Sequence, residues 1–226
     1  MVANSVEVEE KPKLDKKKIT GDLLYGAVKG LGGLALKTFS NLTIEGKENI
    51  PIRGKAILTT ISKNAIRDML VISQATGRKV HFMLNPKLMK HQVAGPILKQ
   101  LGMFRSTTSK DDTEPIDKVF KILNETGDLV AMTPEAKYDR DIQIKSLAGI
   151  IKFAIAADAP IIPLAVFSVK TKILNTFPVE GLKVKIGTPL RVERKLNRDR
   201  YRDQRYKLAE DIHKMIETLR TPIAED

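Results

Sequence analysis

Cysteine is absent from the 226 residues, which excludes disulfides, thiolate nucleophiles and cysteine-held zinc or iron–sulfur centres. Histidine occurs three times, at His81, His91 and His213, with neither H-x-x-x-H nor H-E-x-x-H spacing, so no metal site is expected. Tryptophan is missing and aromatics make up 5% of the chain. Single-stranded nucleic acid is usually held by base stacking on such rings, so a nucleic-acid partner ranks a distant third despite the charge. Acidic residues are missing altogether from Met69 to Lys110. No run reaches the ~20 apolar residues that span a bilayer.

What is present is basic and apolar. The net charge is +12, a field that favours anionic partners. The acid-free stretch holds Arg78, Lys79, Lys87, Lys90, Lys99, Arg105 and Lys110, among Met83, Leu84, Leu88, Met89, Val93, Ile97, Leu98, Met103 and Phe104. Lys87, Leu88, Met89, Lys90 and Lys99 are therefore expected on a membrane face that joins apolar insertion to attraction for anionic phospholipids. A second basic run, Lys183 to Lys207, is diluted by Glu193, Asp199 and Asp203 and reads as a solvated face.

With 42% hydrophobic and 29% charged residues, the chain supports one sizeable core. Residues 1–18 read as a disordered arm with no signal-peptide pattern. Residues 19–40 read as an amphipathic helix, with Leu24, Ala27, Val28, Leu31, Leu34, Ala35 and Thr38 at helical spacing. It fits a membrane interface and a helix packed on the core equally well. Residues 41–226 alternate short apolar runs with helical patterns, which predicts an α/β domain with a mainly parallel central sheet flanked by helices. Strands are expected at 42–45, 55–61, 79–84, 128–132, 161–166 and 182–186, and helices at 65–75, 94–101, 114–126, 145–157 and 200–219. Gly127 reads as a helix stop.

In such sheets, sites form in loops beyond the carboxyl ends of the strands. That rule selects three segments, Thr60 to Asp68, Leu101 to Thr108 and Thr133 to Tyr138.

The order of short motifs resembles the lysophosphatidic acid acyltransferase family, the glycerolipid acyltransferases. It runs through Ile44-Glu-Gly-Lys-Glu-Asn-Ile-Pro51, a polar loop ending in Asp68, Phe82-Met-Leu-Asn-Pro-Lys-Leu-Met-Lys90, Gly95-Pro-Ile-Leu-Lys-Gln-Leu-Gly102, Gly127-Asp-Leu-Val-Ala-Met-Thr-Pro-Glu135 and Asp158-Ala-Pro-Ile-Ile-Pro163. The resemblance implies O-acyl transfer from an acyl thioester, on coenzyme A or acyl-carrier protein, to a glycerolipid alcohol without a cofactor. It also implies a peripheral or monotopic place on the cytoplasmic side of a membrane.

The family's first motif, N-H-x-x-x-x-D, falls on Ser62, Lys63 and Asp68, so Lys63 stands where the general base should be. A lysine with its ordinary pKa of ~10.4 is neutral in about 1 molecule in 2,500 at pH 7, a handicap of about 4–5 kcal/mol as a base. A Lys63–Asp68 ion pair is the expected local structure. The third motif, F-P-E-G-T-R, reads Thr133-Pro134-Glu135-Ala136-Lys137-Tyr138, and the arginine of the second falls on Thr108. In the family these loops hold the acceptor's phosphate; here Arg105, Lys137 and Arg140 remain as cations. The resemblance thus implies Asp68 and Lys63 at the catalytic positions, and Ser62, Arg105, Thr108, Pro134, Glu135 and Lys137 in substrate binding. Two readings follow, an acyltransferase-like protein impaired in catalysis that binds phospholipid or acyl chains, and an active acyltransferase with a non-standard site. Glu135 reads equally well as a binding residue and as a structural one that caps the following helix or pairs with Lys137.

Overall fold

Apolar runs between helical segments dictate a layered arrangement, and the computed structural model, which describes residues 16–109, 111–173 and 177–221, has one. Seven strands form a single sheet in the order β1-β7-β6-β2-β5-β3-β4. They are β1 (Thr43–Glu45), β2 (Ala56–Thr59), β3 (Val80–Leu84), β4 (Phe104–Arg105), β5 (Leu129–Met132), β6 (Ile161–Ile173) and β7 (Phe177–Ile186). β6, β2, β5, β3 and β4 are mutually parallel, whereas β6 and β7 pair antiparallel and β1 lies parallel to β7. β2 and β5 lie centrally and are buried at every position, as strands covered on both faces must be.

The helices are α1 (Lys16–Ser40), α2 (Ala65–Ser73), α3 (Pro86–Met89), α4 (Ala94–Gln100), α5 (Glu114–Phe120), α6 (Arg140–Ala157) and α7 (Arg202–Arg220). One core cluster joins α1, α2 and α4 to Leu58, Phe82, Leu129 and Leu164. The other joins α5, α6 and α7 to Ile57, Val130 and Ile161 on the opposite sheet face. The mainly parallel α/β architecture expected from the alternation is thus present.

Local chemistry sets several boundaries. The Asn64 side chain accepts from the Arg67 N–H at 3.0 Å and starts α2. Asn85 does the same for Lys87 N–H at 2.9 Å, ahead of Pro86 at the first position of α3. α5 continues as a π-helical turn, Lys121–Thr126, and ends where Gly127 turns left-handed at φ 65°. Within the expected arm, Met1 to Asp15 lie outside the described residues, and the helix begins at Lys16.

Three expectations change. β6 and β7 run well past their apolar cores as a long antiparallel hairpin, paired from Leu164↔Ile186 to Ile173↔Phe177. α6 starts five residues earlier than the apolar period suggested. The apolar residues of the basic stretch do not form one surface. Leu84, Met89, Leu98, Met103 and Phe104 are buried, because strand alternation and the inner faces of α3 and α4 turn them to the core. Met89 is therefore not available to a membrane. Lys87, Lys90 and Lys99 are exposed, Leu88 is partly buried, and Val93 and Ile97 are the exposed apolar residues.

Candidate functional site

The loops after β2, β4 and β5 meet at the carboxyl edge of the sheet. Ser62 N–H donates to Pro134 C=O at 2.7 Å and Ser62 C=O accepts from Ala136 N–H at 2.7 Å, which zips the first loop to the third. Between β3, β4, β5 and α6 opens a cleft of about 320 Å³. Met83, Met132, Ile142 and Phe153 are among its apolar lining, and Asn85, Ser106, Thr107, Thr133, Glu135 and Tyr138 among its polar lining.

Asp68 is buried, as a residue in the first turn of α2 facing the sheet. It accepts from Ser62 Oγ at 2.8 Å and from Arg67 Nε and Nη2, each at 3.0 Å. The expected Lys63–Asp68 ion pair does not form. The Arg67 guanidinium donates twice to Oδ1 while Ser62 takes Oδ2, and Lys63 projects from the loop, exposed and without an ion pair among the described residues. Asp68 thus holds a hydroxyl and a guanidinium, neither of which accepts a proton near neutral pH.

The other cations are also engaged. Arg105, at the end of β4, donates to both carboxylate oxygens of Asp112 and, through Nη2, to Glu114 Oε2 at 2.6 Å. Thr108 donates to the same Asp112 from its N–H at 2.8 Å and its Oγ1 at 2.9 Å. Hydrogen bonds from Arg105 lead in holding the Asp112 carboxyl far below the usual carboxylate range. Lys137 pairs with Glu135 at 2.5 Å and lies over the Tyr138 ring at 5.1 Å. Burial would raise the Glu135 pKa, but hydrogen bonds from Asn85, at 2.8 Å, and Lys137 outweigh it and leave it lowered. Glu135 is thus the partner of Lys137, while Asp139 occupies the cap position of α6. Among the described residues no cluster of three or more acidic or histidine side chains could hold a metal.

The structure therefore gathers Ser62, Asp68, Pro134, Glu135 and Lys137 around one edge, and leaves Thr108 with Arg105 and Asp112 in a closed network beside it. Arg67, Asn85, Asp112 and Tyr138 were not picked out as partners by the motif reading. Only Asn85, directly before a proline and at a strand end, carried a local sign of its capping role.

A family model described as Acyltransferase matches residues 41–167, more than half of the chain. The chain belongs to the Acyltransferase family. Its fold is that of the 1-acyl-sn-glycerophosphate (LPA) acyltransferase PlsC from Thermotoga maritima, with TM-score 0.61 over 94% of this chain and 86% of that one, at 16% identity. A comparison with curated proteins returns no match. Asp68, which the resemblance assigns to the aspartate of the first motif, is buried and hydrogen-bonded.

Proposed function

We propose that this chain is a glycerolipid acyltransferase-like protein of the membrane surface, impaired in acyl transfer and binding phospholipid or acyl chains. One observation carries the catalytic part. The Asp68 carboxylate, which would orient a histidine, is occupied by Ser62 and Arg67, and Lys63 is exposed and apart from it. An alcohol attacking a thioester must lose a proton, and an ammonium offers donors but no acceptor for it.

The membrane part is supported by α1. Its inward face, Leu24, Tyr25, Val28 and Leu36, packs on the core. Leu23, Leu31 and Leu34 on the other side are 66–72% exposed. Asp22 and Lys29 turn to the body, Asp22 to Lys79 at 2.6 Å and Lys29 to the Thr76 carbonyl. No described helix is long and apolar enough to cross a membrane. A helix packed on one side and apolar on the other suits the interface plane, and the exposed Lys87, Lys90 and Lys99 suit the anionic cytoplasmic leaflet.

The test supplies an acyl thioester, either acyl-CoA or acyl-carrier protein, and lysophosphatidic acid or a related lysolipid alcohol to the native chain, Lys63→His and Lys63→Ala. Turnover at background in the native chain and its appearance in Lys63→His is the expected result. Native turnover that Lys63→Ala abolishes would establish the second reading, an active acyltransferase with a lysine at its centre.

A further inference from the structure

The polar end of the cleft between β3, β4, β5 and α6 carries hydroxyls and a single carboxylate, and no cation lines it. Ser106, Thr107, Thr133 and Tyr138 are among the lining residues, and their hydroxyls make no hydrogen bond with another described residue, which leaves four donor-acceptor groups without a side-chain or backbone partner there. Glu135 is the one charged residue in the lining, and it is already held by Asn85 and Lys137. From this we infer that the cleft takes an uncharged, hydroxyl-bearing lipid head group of the monoacylglycerol type and discriminates against a phosphate monoester. The inference rests on the glycerolipid acyltransferase-like reading and names the acceptor class of that site.

A phosphate monoester carries up to two negative charges and needs cationic or N–H donors to replace its water. Three of the cations on the adjoining loops have internal anions, while Lys63 and Arg140 form no ion pair with another described residue. Arg67 is on Asp68, Arg105 is on Asp112 and Glu114, and Lys137 is on Glu135. Lys63 is not part of the lining. A phosphate in the cleft would find no cation in the lining and would lie close to Glu135, a like charge. A glycerol head meets none of these costs. Its hydroxyls both donate and accept, which matches side chains that do the same. The two positions where the resembled family has arginine, Thr108 and Tyr138, are hydroxyl residues here, and Tyr138 is part of the cleft lining. The apolar wall, formed in part by Met83, Ile142, Ile150 and Phe153, continues from the polar end and suits an acyl chain.

Calorimetric titration of the native chain with a short-chain monoacylglycerol, and with the lysophosphatidic acid of the same chain length, both below their aggregation concentrations, tests this. The monoacylglycerol is expected to bind at least about tenfold tighter, the equivalent of one or two hydrogen bonds against an uncompensated charge. Thr107→Ala combined with Tyr138→Phe should weaken the monoacylglycerol about tenfold and leave the lysophosphatidic acid unchanged. Tyr138→Arg should narrow or reverse the preference. Tighter native binding of lysophosphatidic acid, equal loss of both ligands in the hydroxyl variants, or binding of neither by the native chain would overturn the inference. The readout is binding, so head-group ranking and the turnover comparison at Lys63 can fail independently.

Discussion

At the scale of single residues, chemistry at the site is decided by who occupies each carboxylate. Asp68 was legible from its spacing to Lys63, but its true partner was not. Adjacent residues on a helix normally point apart, so Arg67 gave no signal of wrapping back onto Asp68. The Arg105–Asp112–Thr108 network was invisible for a related reason, since it closes across an irregular loop that has no period to read. That network makes a prediction. The Asp112 carboxyl lies below its ordinary value in the folded chain, so its contribution is fully present above the unfolded pKa of ~3.9 and declines as pH falls toward the folded value. Hydrogen exchange should show the Thr108 amide, bonded to Asp112 at 2.8 Å, protected at neutral pH and losing protection below about pH 4. Asp112→Asn should lower that protection at neutral pH and remove its acid dependence. Full protection in Asp112→Asn would show that the loop is held by something else.

At the scale of elements, α1 shows what a periodic pattern can and cannot reveal. Its apolar residues are legible as a helix, but they occupy two sides, and only tertiary contacts tell the packed side from the free one. Leu24, Tyr25 and Val28 face the core while Leu23, Leu31 and Leu34 face outward. Small residues allow the packing to be close. A Cβ on Gly33 would lie 2.3 Å from Gln74 Oε1, and one on Gly21 would lie 2.9 Å from the Gln100 carbonyl oxygen. The Gln74 side chain is itself engaged, donating to the Lys29 carbonyl at 2.9 Å, while the Gln100 oxygen is backbone and moves less readily. Gly21→Val should therefore push the start of α1 off α4 and destabilise the chain by about 1–3 kcal/mol, measured by denaturant unfolding. Gly26→Ala, at a position with nothing within 4 Å, should be neutral or stabilising by up to about 1 kcal/mol. Equal effects of the two would mean that α1 is not seated on α4. The hairpin of β6 and β7 was underestimated because only its inner halves, Ile161 to Val166 and Leu182 to Ile186, are continuous apolar runs, and its outer halves mix polar residues that read as loop.

At the scale of the whole molecule, a mainly parallel sheet between two helix layers follows from alternation of strands and helices, which is why the fold class was legible well before the site, whereas the strand order was not. The surface proposed to meet a membrane was legible only in part. The basic stretch was read as interleaving lysines with exposed apolar residues, yet the sheet turns most of the latter inward and α1 replaces them outward. Two physically different contributions are thereby assigned to two different places, and they separate by salt. Attraction of Lys87, Lys90 and Lys99 to an anionic surface is screened over ~10 Å at 0.1 M salt, at about 1 kcal/mol per residue when unscreened. Burial of the Leu23, Leu31 and Leu34 side chains is indifferent to screening and scales with apolar area at about 25 cal/mol per Å². Co-sedimentation with anionic vesicles should therefore weaken with salt for the native chain. Lys87, Lys90 and Lys99 changed together to Gln should flatten the salt dependence, and Leu23, Leu31 and Leu34 changed together to Ser should lower binding at every salt concentration without changing the slope. If the leucine variant alters only the slope, or the native chain stays in the supernatant at low salt, α1 is a packed helix with an apolar back and the membrane reading is lost.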